Sequence, residues 1–154
     1  NTSTIEDRLD GFVRCYSEYD IAIDKSLWMT DITCTMPGNN TKENINADIE
    51  RVKTHLMAHP QITAIFAVEY SIAVLAHKAI ESIGKKVPDD ISIICFDVPK
   101  SFLGDEFYSH IRQQEYEMGV ASFKRLYDFI TKDKNEIKEL LEADLIIGSS
   151  VKAI

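Results

Sequence analysis

The segment Val87-Pro88-Asp89-Asp90-Ile91-Ser92-Ile93-Ile94-Cys95-Phe96-Asp97 decides the fold of this chain. A Pro-Asp-Asp turn leads into a mostly apolar run, which predicts a buried strand over Ile91–Phe96 of the kind found in parallel sheets. The strand ends on a carboxylate. Because ligands of open α/β sheets bind outside the carboxyl ends of the strands, Asp97 is a candidate binding residue.

Helices and strands alternate along the rest of the chain. Apolar residues at helical spacing predict four helices, over 4–19, 41–58, 71–83 and 116–131. Gly84 is placed to end the third helix in a left-handed conformation. Apolar runs predict further strands over 27–33, 62–68 and 110–113, and one or two strands within 140–147. The fold class is therefore α/β, a mainly parallel sheet flanked by helices on both faces.

Composition limits the functions that are open to the chain. Its 154 residues suit one domain, with 45% apolar and 27% charged residues. The net charge of −8, from 25 acidic and 17 basic residues, disfavours direct contact with DNA phosphates. No apolar run approaches the roughly 18 residues that a membrane span needs.

The cysteines and histidines show no spacing typical of a metal site. Cys15, Cys34 and Cys95 are odd in number and far apart, which favours reduced thiols in a cytoplasmic protein. His55 and His59 share a helical face, but no third ligand accompanies them. Neither a metal nor a cofactor is expected.

Three segments carry a family resemblance. They are Arg8-Leu9-Asp10-Gly11-Phe12, the strand that ends Phe96-Asp97, and Ile111-Arg112-Gln113 followed by Met118-Gly119. In this order they resemble the effector-binding domain of the lactose/galactose repressor family (LacI/GalR). That domain also occurs in some regulators with a winged-helix head of the GntR type, and its fold is similar to that of periplasmic sugar-binding proteins of type I.

The resemblance covers the chain from Arg8 to about Val151 and implies a domain organisation. Residues 1–154 would form the C-terminal lobe of the effector-binding domain, with about 139–154 returning as crossover strands toward the N-terminal lobe. The chain also opens on a helix, which is unusual for this fold. We therefore expect the first lobe and the DNA-binding head to lie upstream of Asn1.

The resemblance also implies site residues. Arg8 matches the arginine that contacts the effector, and its guanidinium offers five donors in a fixed fork. The alternative is a surface arginine paired with a nearby carboxylate. Asp97 matches the effector-binding aspartate, which accepts hydrogen bonds from sugar hydroxyls, unless it merely caps the following turn. Gln113, from the Ile-Arg-Gln segment, is a further candidate ligand-binding residue.

Several positions depart from the family pattern. Glu69-Tyr70 replaces the usual Asn-Asp after the second buried strand, Val98 replaces the second aspartate of a pair, and Ser109-His110 replaces Thr-Thr. Glu69 still follows the carboxyl end of a strand and is a candidate ligand-binding residue. Tyr70 would either stack on a sugar ring or pack in the core. These departures concern the ligand and leave the fold unchanged.

Charge narrows the class of ligand. Two carboxylates, Glu69 and Asp97, face a single guanidinium, that of Arg8. Burying like charges together is costly, so an acidic or phosphorylated ligand is disfavoured. We therefore expect a small neutral sugar or polyol.

Four aromatic residues follow or end the strand: Phe96, Phe102, Phe107 and Tyr108. They could line the site or a dimer interface, although burial habits favour the core. The resemblance implies a homodimer whose contacts involve 71–78 and 98–107.

The favoured function is ligand sensing in a bacterial transcriptional regulator, with DNA bound by the separate head. A periplasmic sugar-binding protein for transport is the alternative, because it shares the fold. An enzyme is not expected. Glu69 and Asp97 could in principle serve glycoside hydrolysis, but the sequence shows no nucleophile–base pair, glycine-rich phosphate loop or metal cluster.

Overall fold

The computed structural model describes residues 3–99, 107–132 and 140–153. Its elements are α1 (Ser3–Glu18), a short 3₁₀ helix (Lys25–Leu27), α2 (Lys42–Ala58), β1 (Ala64–Phe66), α3 (Tyr70–Ser82), β2 (Ser92–Phe96), β3 (Ser109–Arg112), α4 (Glu115–Lys132) and β4 (Asp144–Ile146). The four predicted helices are confirmed to within one residue at each end. The sequence further predicts an irregular segment over 98–108 and a charged surface loop over 132–138, and most of both lies outside the described residues.

The strands form one sheet in the order β1-β2-β3-β4. The first three strands are parallel, with Ile65 opposite Ile93 and Cys95 opposite His110. β4 runs antiparallel to β3. The prediction of a mainly parallel sheet is confirmed, and the carboxyl ends of β1, β2 and β3 meet at one edge.

Helices cover the sheet on both faces, as predicted. Helices α2 and α3 pack against each other, and α3 packs against β2. Side chains alternate along a strand, so Ile93 and Cys95 point into this core while Phe96 points to the opposite face. There α1 approaches, with Phe12 stacked on Phe66. The core of the described residues comprises Ile32, Cys34, Val52, Leu56, Ala67, Ala73, Leu75, Ala76, Ala79, Ile80, Ile91, Ile93, Cys95 and Tyr108.

The ends of α2 and α3 follow the expected capping chemistry. The Thr41 hydroxyl accepts a hydrogen bond from the Asn44 amide at 3.2 Å, which caps the first turn of α2. Gly84 has φ +76°. Its amide donates to the Glu81 carbonyl and the Lys85 amide to the Ile80 carbonyl, which together form a Schellman motif. The predicted left-handed cap is confirmed.

The strand predicted over 27–33 is wrong. Its first residue ends the 3₁₀ helix, and residues 28–33 belong to none of the strands. The amides of Thr33 and Cys34 donate instead to the fully buried Asp48 carboxylate, at 3.0 and 2.7 Å. A side chain of α2 thus takes the backbone donors that a neighbouring strand would otherwise accept.

The C-terminal region contributes one strand, β4, of the one or two predicted. Beyond it, Ser150 is fully buried between β2 and β3. Its amide donates to the Phe107 carbonyl, and its carbonyl accepts from the Ile93 amide. In the described part of the chain, no helix has both the length and the apolar character to cross a membrane.

Candidate ligand-binding site

Arg8, Asp97 and Gln113 meet at the carboxyl edge of the sheet. The guanidinium of Arg8 forms an ion pair with Asp97 through Nη2, and Nη1 donates to the Val68 carbonyl at 2.7 Å. The side-chain amide of Gln113 lies 3.0 and 2.9 Å from the two carboxylate oxygens of Asp97. Three predicted residues, from α1 and the ends of β2 and β3, therefore form one hydrogen-bonded group.

The backbone at Asp97 explains how the carboxylate reaches both partners. Asp97 has φ +57°, in the left-handed region that only glycine, asparagine and aspartate visit readily. Its amide donates to the Ile111 carbonyl at 3.0 Å, which extends the β2–β3 pairing by one residue. The chain then turns away. Unusual backbone conformations of this kind cluster at binding sites.

Aromatic rings form the apolar part of the site. Phe12 stacks on Phe66 with ring centroids 4.9 Å apart, and Phe66 meets Phe96 edge-on at 5.8 Å. The Arg8 guanidinium lies over the Phe96 ring, 4.2 Å from its centroid. Trp28 contacts the edge of Phe12 at 6.2 Å. A cation held over an aromatic face is stabilised by the ring quadrupole.

An open cavity of about 540 Å³ lies between α1 and the sheet. Its walls are mainly apolar, and Arg8 and Gln113 provide polar groups on them. Asp97 is not a lining residue but binds both of these side chains, and about a third of its own side chain is exposed. The lining residues are Thr4, Asp7, Arg8, Gly11, Phe12, Cys15, Phe66, Phe96, Ile111, Gln113 and Ala143.

Glu69 and Tyr70 lie at the start of α3. Glu69 occupies the N-cap position after β1, and its carboxylate accepts from the Ser71 hydroxyl at 3.3 Å. It directly follows Val68, whose carbonyl binds Arg8. Tyr70 packs against the core and meets Tyr108 edge-on at 5.8 Å. Glu69 is therefore one residue along the backbone from a contact of Arg8, whereas Tyr70 makes packing contacts.

The electrostatics around the cavity are acidic. Arg8 is the single cation among the lining residues, which also include Asp7, and Arg8 itself pairs with the Asp97 carboxylate. Burial, together with the nearby Asp97, raises the pKa of the Cys95 thiol to about 11. Burial likewise raises the pKa of Tyr108 to about 12. Among the described residues, no cluster of three or more His, Cys, Asp or Glu side chains could hold a metal ion.

The sequence did not reveal the role of Phe96 beneath Arg8. Burial habits predicted that the aromatic residues near β2 belong to the core, and Tyr108 does, with 8% of its surface exposed. Its hydroxyl is hydrogen-bonded to the His77 ring at 2.8 Å. Phe107 is 37% exposed and stacks on His77. Phe102 lies outside the described residues. The position of Phe96 immediately before the strand-end Asp97 was the signal in the sequence that could have indicated this role.

Comparison with known proteins identifies the family. Residues 1–151 match the family described as the periplasmic binding protein-like domain. The chain is 31% identical to the HTH-type transcriptional regulator MalR of Clostridium butyricum over 140 residues, 90% of this chain and 39% of that protein. It is 28% identical to the HTH-type transcriptional repressor PurR of Photobacterium profundum over 153 residues, 97% of this chain and 42% of that protein.

Solved structures agree with this assignment. A putative transcription regulator from Staphylococcus saprophyticus superposes with a TM-score of 0.68 at 28% identity, covering 93% of this chain and 50% of that one. The regulator CelR in complex with cellobiose gives a TM-score of 0.70 at 20% identity, covering 93% and 41%. The chain belongs to the periplasmic binding protein-like domain family, and its resemblance to the effector-binding domain of the LacI/GalR regulators is confirmed. It spans about two fifths of the length of the relatives MalR and PurR.

Proposed function

We propose that this chain is the C-terminal lobe of the effector-binding domain of a bacterial transcriptional regulator. It binds a small neutral sugar or polyol, and a separate head binds DNA. The observation that carries this proposal is the group formed by Arg8, Asp97 and Gln113 beside a mainly apolar cavity. Such a combination, a few fixed polar groups against aromatic walls, suits a ligand with hydroxyls and an apolar face.

The polar group suits hydroxyls because it offers donors and an acceptor together. Arg8 and Gln113 line the cavity and can donate, while the exposed part of the Asp97 carboxylate can accept from a hydroxyl. Glu69 supplies a further acceptor near the edge of the site. The excess of carboxylates over the guanidinium of Arg8 disfavours phosphorylated and acidic ligands.

Regulation follows from differential affinity. A ligand that binds one arrangement of the effector-binding domain more tightly shifts the protein toward that arrangement, and with it the affinity of the head for DNA. The negative charge of this chain fits a role in which DNA is contacted elsewhere. The same proposal includes a homodimer formed in part by α3. It also includes a cytoplasmic location and a role without catalytic activity.

The names of the relatives favour a regulator over the transport protein that the sequence left open. MalR, PurR and CelR are all described as transcriptional regulators. CelR was solved with cellobiose, which is consistent with a sugar as the class of ligand. A DNA-binding head in the full-length protein would agree with this choice, and a secretory signal would contradict it.

Isothermal titration of the full-length protein tests the ligand class. The titrants are glucose, ribose, maltose, cellobiose, sucrose and sorbitol, each neutral, and glucose 6-phosphate and gluconate, each charged. We expect binding of at least one neutral compound and binding at least about tenfold weaker for the charged ones. Binding confined to the charged compounds would contradict the ligand class.

Paired glutamine variants test the site. Gln113→Met removes the donor to Asp97 and is expected to weaken binding about three- to tenfold, the value of one hydrogen bond. Gln114→Met is the matched control, because the Gln114 amide donates to Asp144 and not to Asp97. Equal affinities of the two variants would exclude Gln113 from the site.

A further inference from the structure

Two histidines lie together at the end of helix α2. His55 is in its last turn and His59 is its C-cap, so their four-residue spacing puts both imidazoles on one face. The ring centroids are 4.6 Å apart, and the ring planes are tilted by 45°. A metal ion bound at about 2.1 Å by one nitrogen of each ring requires ring centres about 5 Å apart. The pair therefore has the spacing of a two-nitrogen chelate.

Each imidazole is oriented by a hydrogen bond through its other nitrogen. His55 Nε2 lies 3.2 Å from the Leu27 carbonyl, so Nε2 carries the proton and Nδ1 keeps its lone pair. His59 Nδ1 lies 3.4 Å from the side-chain amide of Gln61. The oxygen of that amide can turn to accept from an Nδ1–H, which leaves Nε2 for a metal. Bonds of this kind fix the tautomer and the orientation of metal-binding histidines.

The charges around the pair favour a cation. Both histidines lie at the carbonyl end of α2, where the helix carries partial negative charge. Asp24 caps the 3₁₀ helix, and its pKa is lowered by hydrogen bonds from Ser26 and, to a smaller extent, by the nearby His59. Both bonds from Ser26 go to Oδ1, so Oδ2 can turn toward an ion at the histidines.

We propose that His55 and His59 bind a divalent transition-metal ion of the class of Zn²⁺, Ni²⁺ or Cu²⁺, with water completing its coordination. Imidazole nitrogen suits these ions, whereas Mg²⁺ and Ca²⁺ prefer oxygen ligands. Asp24 contributes its charge. The sequence predicted no metal because no third ligand accompanies the pair, but two nitrogens on adjacent helical turns already form a chelate.

The metal site is separate from the ligand-binding site. Among the described residues, those that line the cavity include neither histidine. The proposal therefore goes beyond the sensing function, and metal binding and sugar binding can be tested independently.

Modification with diethyl pyrocarbonate, followed by peptide mass spectrometry, tests the metal site in the full-length protein without a histidine tag. The reagent acylates an unprotonated imidazole nitrogen, which a bound metal ion blocks. In excess Zn²⁺ we expect the modification of His55 and His59 to slow at least about tenfold, whereas Mg²⁺ at the same concentration should have no effect.

Glutamine variants distinguish a chelate from two independent histidines. In His55→Gln, Zn²⁺ should no longer protect His59, because a single imidazole is left to hold the ion. His59→Gln should equally expose His55 and keeps the test decisive if His55→Gln does not fold, since His59 bonds only to an exposed glutamine. His77→Gln is the matched control, because His77 lies on α3 and bonds to Tyr108, and it should leave the protection of the pair unchanged.

Two results would overturn the metal site. One is equal modification of His59 with and without Zn²⁺. The other is protection of His59 that persists in His55→Gln, which would mean that the two rings do not share an ion.

Discussion

Two cysteines on either side of the cavity wall are expected to differ sharply in reactivity. Cys95 is fully buried in β2, and its pKa is raised to about 11 by burial and by Asp97. Only about one thiol in a thousand is then ionised at pH 8, and the reactive thiolate appears only as the pH rises toward 11. Cys15 is exposed on α1.

Alkylation with iodoacetamide at pH 8, followed by peptide mass spectrometry, measures this difference. We expect Cys15 to react within minutes in the native protein and Cys95 to react only after unfolding. Cys34, which is also buried, provides an internal control. Native Cys95 reacting as fast as Cys15 would show that β2 is open to solvent.

At the level of residues, the sequence predicted which site residues lie together but not the contacts between them. Motif order was enough to bring together Arg8, Asp97 and Gln113. Nothing in the sequence pairs Arg8 with the Val68 carbonyl or the Phe96 ring, because these contacts depend on the angle at which α1 crosses the sheet. Tyr70 packs edge-on against Tyr108, a contact that the sequence did not predict.

A single carboxylate organises the segment between the 3₁₀ helix and α2. Asp48 is fully buried, accepts from the amides of Thr33 and Cys34, and forms an ion pair with Arg51. Asp48→Ala leaves the two backbone donors without their acceptor and removes one of the two carboxylates that pair with Arg51. We expect it to lower the free energy of unfolding by about 2–5 kcal/mol, the cost of leaving two backbone donors without a partner.

Urea denaturation of Asp48→Ala beside Asp31→Ala measures the effect. Asp31 binds the same arginine at 3.2 Å, but 62% of its side chain is exposed. An exposed pair contributes at most about 1 kcal/mol, so Asp31→Ala should change stability little. Similar losses in the two variants would mean that Arg51, and not the buried amides, determines the effect.

Helices and strands could be predicted where a single pattern of apolar residues determines them. The helices follow from apolar spacing, and β2 from its continuous apolar run. The predicted strand over 27–33 failed at its end, where the amides of Thr33 and the following Cys34 bind a side chain 14 or more residues away, on another element. A pattern of apolar residues is the same whether the backbone pairs with a strand or with Asp48.

For the molecule as a whole, the two faces of the sheet differ in how they are closed. Helices α2 and α3 seal one face with the buried core. On the other face α1 leaves the cavity open, and Leu145 of β4 is 57% exposed. The mainly parallel character of the sheet could be predicted from the alternating helices and strands, but the order of its strands depends on long-range packing that local patterns do not encode.

The sheet is joined to the C-terminal region through Ser150. Its hydroxyl donates to the Ile93 carbonyl at 2.5 Å and accepts from the Ser109 amide at 2.8 Å, which links β2 to the start of β3. Ser150→Ala keeps the backbone bonds of residue 150 but leaves the Ser109 amide without this acceptor. Because a buried donor without a partner costs its full desolvation free energy, we expect the free energy of unfolding to fall by about 1–3 kcal/mol.

Ser149→Ala is the matched control, because Ser149 is exposed and its removal should change stability by no more than about 0.5 kcal/mol. The measurement is the urea midpoint of each variant, with an unchanged slope showing that only stability differs. Hydrogen exchange in Ser150→Ala should rise in β2 and β3 together, since the serine joins them. Equal midpoints for the two variants would show that the backbone bonds of residue 150 hold the C-terminal segment by themselves.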